Sequence, residues 1–196
     1  MGKNRVPAWR RDGDLLGLSI PTEKFAAGTD KVIEARVAKL VMVASLAAFA
    51  LLVAFDNLTD YDTNFAFVGH VLSMDGTPPE GALAYRRLTA PALWHAAYAL
   101  IILGEGLTGL GFAFAAVALT RRLRSAAACF NRAKRLVFAA AAIGFLVWFL
   151  GFMVVGGEWF QMWRSQAWNG QQAAFRFCLS ILGVLIFVSH SDGELG

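Results

Sequence analysis

The chain has 196 residues, of which 57% are hydrophobic and only 16% charged, with a formal net charge of +4. A soluble domain carries about 25% charged residues, so the deficit excludes an ordinary water-soluble domain and directs much of the surface toward lipid. The basic excess is spread around apolar segments rather than gathered on one folded face, and this argues against a nucleic-acid partner.

Residues 1–36 read as a polar N-terminal extension broken by Pro7, Gly13, Gly17, Pro21 and Gly28. It carries Arg10 and Arg11, expected to contact a partner, and ends in one amphipathic stretch, Lys31 to Lys39. Two readings stay open for it: a basic tail lying on anionic headgroups, or a segment ordered by another protein. No signal peptide is expected, because the first apolar run starts too late. Val6 stands where a myristoylation site needs Ser or Thr.

Crossing the hydrocarbon takes about 20 residues, and four segments qualify: 37–55, 91–119, 136–155 and 173–188. The second is long enough to tilt or project; the fourth is short, with Arg176 near its start. The expected fold is all-α, a four-helix transmembrane bundle over residues 37–190 with a short outer interfacial helix and a cytoplasmic N-terminal extension. Residues 191–196 are expected to be a cytoplasmic tail.

Basic residues cluster at two places. Lys3, Arg5, Arg10, Arg11, Lys24, Lys31, Arg36 and Lys39 precede or open the first span. Arg121, Arg122, Arg124, Arg132, Lys134 and Arg135 lie between spans two and three. The other loops hold only Arg86, Arg87 and Arg164. By the positive-inside rule both termini and the 120–135 loop are cytoplasmic, in a multi-pass protein of the bacterial inner membrane. Cys129 and Cys178 then fall on different sides, so no disulfide is expected, and two cysteines without a CxxC give no zinc site.

The first outer segment begins Asp56-Asn57-Leu58-Thr59-Asp60-Tyr61, a polar string expected to cap span one and start a turn. Asp62-Thr63 then looks like a helix N-cap. Tyr61, Phe65, Val68 and Leu72 recur at helical spacing, which predicts an amphipathic interfacial helix over 63–74. Asp75-Gly76-Thr77-Pro78-Pro79 ends it. The second outer segment holds Trp159, Trp163 and Trp168, an aromatic belt at the interface or a contact surface for a partner.

Few residues point to chemistry. Glu105 sits in the middle of the second span, where a charge costs about 2.5–3.5 kcal/mol on insertion scales. Its expected partners are Thr108 or Ser45, and ten residues of helix, about 15 Å, separate it from His95. Haem needs two axial ligands facing one cavity, and His70 with His95 is the pair on one side. Glu158 and Arg176 are placed to form a structural ion pair if their helices are neighbours. Glycines at 104, 106, 109 and 111, and at 144, 151, 156 and 157, mark close helix contacts. No P-loop, nucleophile elbow, HExxH or dinucleotide fingerprint occurs, which weighs against a self-contained enzyme.

Several strings carry a resemblance. Asn57-Leu58-Thr59-Asp60-Tyr61, Asn64-Phe65-Ala66-Phe67-Val68, His70-Val71-Leu72-Ser73-Met74-Asp75, Phe130-Asn131-Arg132-Ala133-Lys134-Arg135 and the stretch from Phe149 through Phe177 resemble a bacterial family of predicted small integral membrane proteins. The resemblance covers about residues 37–190. It implies four spans and supplies no activity, because the family is a domain of unknown function.

Three functional readings follow. The first is a non-catalytic accessory subunit of a larger inner-membrane complex, of the respiratory or photosynthetic electron-transfer kind, packed against other membrane subunits and lipids. The second is a quinone- or haem-binding oxidoreductase component, with His70, His95, Glu158, Trp159 and Trp163 lining an outer pocket. The third is a small transporter or channel that acts as a homo-oligomer, with Glu105 in the path.

Overall fold

The computed structural model describes residues 22–76 and 82–195, with side chains from residue 28. Arg10, Arg11 and the Thr77-Pro78-Pro79 turn lie outside the described residues. Helix α1 runs Thr22–Thr59, α2 Tyr61–Ser73, α3 Pro91–Arg121, α4 Ala127–Ala133, α5 Arg135–Phe145 and α6 Gln171–Ser189. Beyond Phe145 the α5 helix continues as a π-helix, Leu146–Trp159. Short 3-10 turns occupy Ala84–Arg86 and Met162–Arg164, and no strand occurs among the described residues.

Four stretches are long and apolar enough to cross a membrane: Gly28–Thr59, Pro91–Arg121, Ala127–Trp159 and Gln171–Ser189. They form an up-and-down bundle. Asn57 of α1 meets Glu105 of α3, and Arg36 meets the loop after α3, so these two helices run antiparallel. Trp148 stacks flat on Phe177 of α6, with ring centroids 4.7 Å apart. Phe49 of α1 packs on the same Phe177 at 3.9 Å. The order around the ring is therefore α1, α3, α5, α6, and both described chain ends lie at one end of the bundle, the terminal end. Helix α2 and the segments 82–90 and 160–170 cover the other, the loop end.

Glycine decides how closely the helices approach. A Cβ on Gly109 would lie 2.8 Å from the backbone nitrogen of Leu51, and one on Gly111 would lie 2.9 Å from the Cβ of Ala140. These two positions let α3 touch α1 and α5 backbone to backbone, the usual basis of membrane helix packing. The main core fills the bundle with Val43, Ala47, Ala50, Phe112, Ala115, Leu119, Val137 and Ile181. A second cluster at the loop end joins Val68, Val71 and Leu72 of α2 to Tyr98, Phe160 and Met162. Outward faces carry Leu52, Leu100, Leu103 and Phe114, each more than half exposed, as lipid contact requires.

Several boundaries differ from the sequence reading. Helix α1 does not stop at Phe55; it runs through the polar string to Thr59 because Asn57 finds partners on α3. Helix α2 begins at Tyr61 after Asp60, not after Asp62, and no side chain caps it. Met74 ends it in the left-handed conformation, φ 55°. The 120–135 segment is not a loop throughout, since it folds into α4. The π-helix was invisible to the sequence: its apolar run reads equally as α, and the wider i→i+5 bonding leaves no compositional mark.

Candidate functional site

Glu105 lies near the middle of α3 and is 2% exposed. Its partner is neither Thr108 nor Ser45. Thr108 donates to the carbonyl of Gly104 at 2.7 Å, and Ser45 to that of Val41 at 2.8 Å, each within its own helix. Instead the Asn57 amide donates to Glu105 Oε2 at 2.7 Å. The Tyr98 hydroxyl donates to the Asn57 carbonyl at 2.8 Å and lies 3.3 Å from the Asn57 side-chain oxygen. Three polar residues from α1 and α3 thus form one chain of hydrogen bonds inside the bundle. Hydrogen bonds in such a chain polarise and orient one another, and here each residue positions the next.

Beside this chain is a cavity of about 310 Å³. Asn57, Tyr98 and Glu105 line it together with Asp56 and Asn64; Phe67, Trp148, Phe152 and Phe177 form its aromatic walls. A second space of about 300 Å³ adjoins it and is lined almost wholly by apolar side chains, among them Leu72, Leu100, Leu146 and Leu150. Phe67, Val68, Ile101 and Phe152 line both. Leu100, Leu146 and Leu150 are 68%, 59% and 46% exposed, so the apolar space reaches the lipid-facing surface. A chamber with polar groups and an apolar groove therefore lie side by side, with these four side chains between them.

The histidines lie elsewhere. His70 Nδ1 is 2.7 Å from Asp75 Oδ2, and its ring stacks on Trp168 at 4.1 Å. His95 Nδ1 is 2.8 Å from the Tyr61 hydroxyl, and its ring stacks on Phe65 at 4.1 Å. Phe65 and His70 are five residues apart on α2, about 140° around the helix, so the two imidazoles serve different faces of it. The guanidinium of Arg86 covers Trp159 at 4.4 Å, while Trp163, half exposed, has Arg164 at 6.0 Å. Glu158 and Arg176 are both exposed, and no ion pair joins them. Among the described residues no group of three metal-ligating side chains is assembled.

A second polar centre closes the terminal end. Lys39 Nζ lies 2.8 Å from Asp192 Oδ2, and Lys134 pairs with the same oxygen. Both ammoniums also donate to the carbonyl of His190 at 2.7 Å, just past the end of α6, where the helix dipole is negative. Arg36, fully buried, donates to the carbonyls of Leu123, Ser125 and Gly193 at 2.9, 2.7 and 2.9 Å. Burial alone would raise the Asp192 carboxyl, but the hydrogen bonds and charges of Lys134 and Lys39 outweigh it and hold its pKa below the usual carboxylate value. Residues 191–194, read from sequence as a tail, thus fasten α1, α4 and α5 together.

Four membrane-length apolar helices in one bundle define a multi-pass integral membrane protein. The chain belongs to the family described as predicted small integral membrane protein (DUF2165), whose model matches residues 35–191. That match takes in Arg36, Lys39, Asn57, Tyr98 and Glu105 and stops one residue short of Asp192. No curated protein and no solved structure matches the chain.

Proposed function

We propose that this protein is a non-catalytic subunit of a larger inner-membrane electron-transfer assembly and that its bundle holds a quinone-type amphiphile beside Glu105. The observation that carries the reading is the shared wall between the polar chamber at Asn57, Tyr98 and Glu105 and the apolar groove that reaches lipid. A quinone ring needs polar partners for its oxygens, a flat aromatic surface and an exit for its tail. Asn57, Tyr98 and Glu105 supply the first, the partly buried rings of Phe67 and Phe152 the second, and the groove beside Leu100 and Leu150 the third. The basic residues near Arg36 and in the 121–135 segment support a cytoplasmic terminal end in this reading.

Glu105 is enclosed by its own protomer, which weighs against an oligomeric path in which copies of this carboxylate meet. The test is a titration of the full chain, in detergent, with a short-tailed ubiquinone analogue, read by tryptophan fluorescence. Quenching that saturates and is weakened by Trp148→Phe and by Asn57→Leu supports the reading. Quenching that grows linearly and ignores both substitutions refutes it.

A further inference from the structure

We propose that the groove between the end of α3 and the α4–α5 junction is a headgroup site for an anionic phospholipid. Arg121 ends α3 and Arg122 follows it, Arg132 lies in the last turn of α4, and Arg135 opens α5; together they line a space of about 640 Å³. No acidic residue shares that lining. The neighbouring acidic groups are already committed, Asp192 to Lys39 and Lys134, and Glu194 to the Ala127 amide. Among the described residues no hydrogen-bond acceptor engages any of the four guanidinium groups.

This differs from the rest of the terminal end. Lys39 and Lys134 are buried against Asp192 and the His190 carbonyl, and buried Arg36 gives both terminal nitrogens to carbonyls, leaving only its Nε without a partner. The four groove arginines are exposed and unneutralised, around the C-terminal end of the apolar helix α3. The remaining lining is Ala118, Ala133, Leu136 and Cys129, an apolar margin along which acyl chains can run. Guanidinium groups bind phosphate oxygens in pairs, and basic pockets between membrane helices at the headgroup level are suited to such lipids. Several arginines around one space favour a headgroup with more than one phosphate over a single one.

The assay is native mass spectrometry of the full chain in uncharged detergent, with added phosphatidylglycerol, diphosphatidylglycerol or phosphatidylcholine. The expected result is retention of the two anionic lipids, diphosphatidylglycerol more tightly, and not of phosphatidylcholine. Each arginine near the headgroup contributes about fivefold in affinity, so Arg121→Gln with Arg132→Gln lowers it about thirtyfold. Arg124→Gln, a basic residue of the same segment outside the groove, leaves affinity unchanged. Equal losses from Arg124→Gln and the double variant overturn the proposal, because only general charge would then matter.

Cys129 gives a readout without any substitution. It is exposed in the groove, whereas Cys178 is buried. Diphosphatidylglycerol at a few molar equivalents is expected to slow N-ethylmaleimide modification of Cys129 severalfold. An unchanged rate overturns the proposal. Equal protection by inorganic phosphate at the same concentration overturns it too, since the groove would then recognise free phosphate rather than a lipid.

Discussion

Replacing Asp192 with asparagine removes one charge and almost no volume, yet it strands two ammoniums. The side chains of Lys39 and Lys134 are each 4% exposed, and that of Asp192 2%, so water replaces the lost carboxylate poorly. Removing one partner of a buried pair costs about 3–5 kcal/mol. Both lysines keep the His190 carbonyl, and Lys134 also keeps the Asn131 side chain at 2.7 Å, so the lower end applies. A loss of about 3 kcal/mol corresponds to a fall of about 6–12 °C in Tm for a chain of this size. Thermal unfolding of wild type and Asp192→Asn in the same detergent, followed by circular dichroism, measures it. A shift under about 1 °C would show that residues 191–194 are a tail after all and that the clamp stabilises nothing.

The same group predicts a pH dependence. The folded pKa of Asp192 lies below its unfolded value, so its contribution is present above the usual carboxylate range and is lost as pH falls through the folded pKa. Tm should therefore hold between pH 7 and about pH 5 as far as this group is concerned and drop below about pH 4; in Asp192→Asn that acid-limb drop should shrink, and an identical acid limb would count against the assignment. Asn57→Leu leaves the buried Glu105 without its 2.7 Å donor and should cost about 1–3 kcal/mol, while Glu105→Gln, which keeps an acceptor, should cost less; reversal of that order in melting experiments would contradict the hydrogen-bond chain. Gly109→Val drives a side chain into the Leu51 backbone and should cost about 1–3 kcal/mol or more, whereas Gly106→Ala, with nothing within 4 Å, should be tolerated.

The spans were legible because composition alone distinguishes 20 apolar residues from everything else in this chain. The positions of the helix ends were not, and the reason is tertiary. Asp56 to Asp60 has turn chemistry, but Asn57 is held in the helix by Glu105 and Tyr98, which lie 48 and 41 residues away. The same blind spot hid the partner of Glu105: local spacing offered Thr108, whose hydroxyl is already spent on its own helix. Amphipathic spacing did find α2, since Val68 and Leu72 are both buried there. Nothing local marks Asp192. Its carboxylate matters because two lysines, 153 and 58 positions earlier, arrive at the same oxygen, and a run such as Ser191-Asp192-Gly193 reads as a tail without them.

The chamber beside Glu105 is proposed to hold a quinone-type amphiphile within a larger assembly. The most direct test is to purify the chain at native expression level in mild detergent or nanodiscs, then identify every copurifying protein and lipid by mass spectrometry and record the absorption spectrum. Stoichiometric electron-transfer subunits are expected together with an extractable quinone, which Asn57→Leu reduces while the subunits remain. A chain that runs alone, with no quinone in the extract, would contradict the proposal.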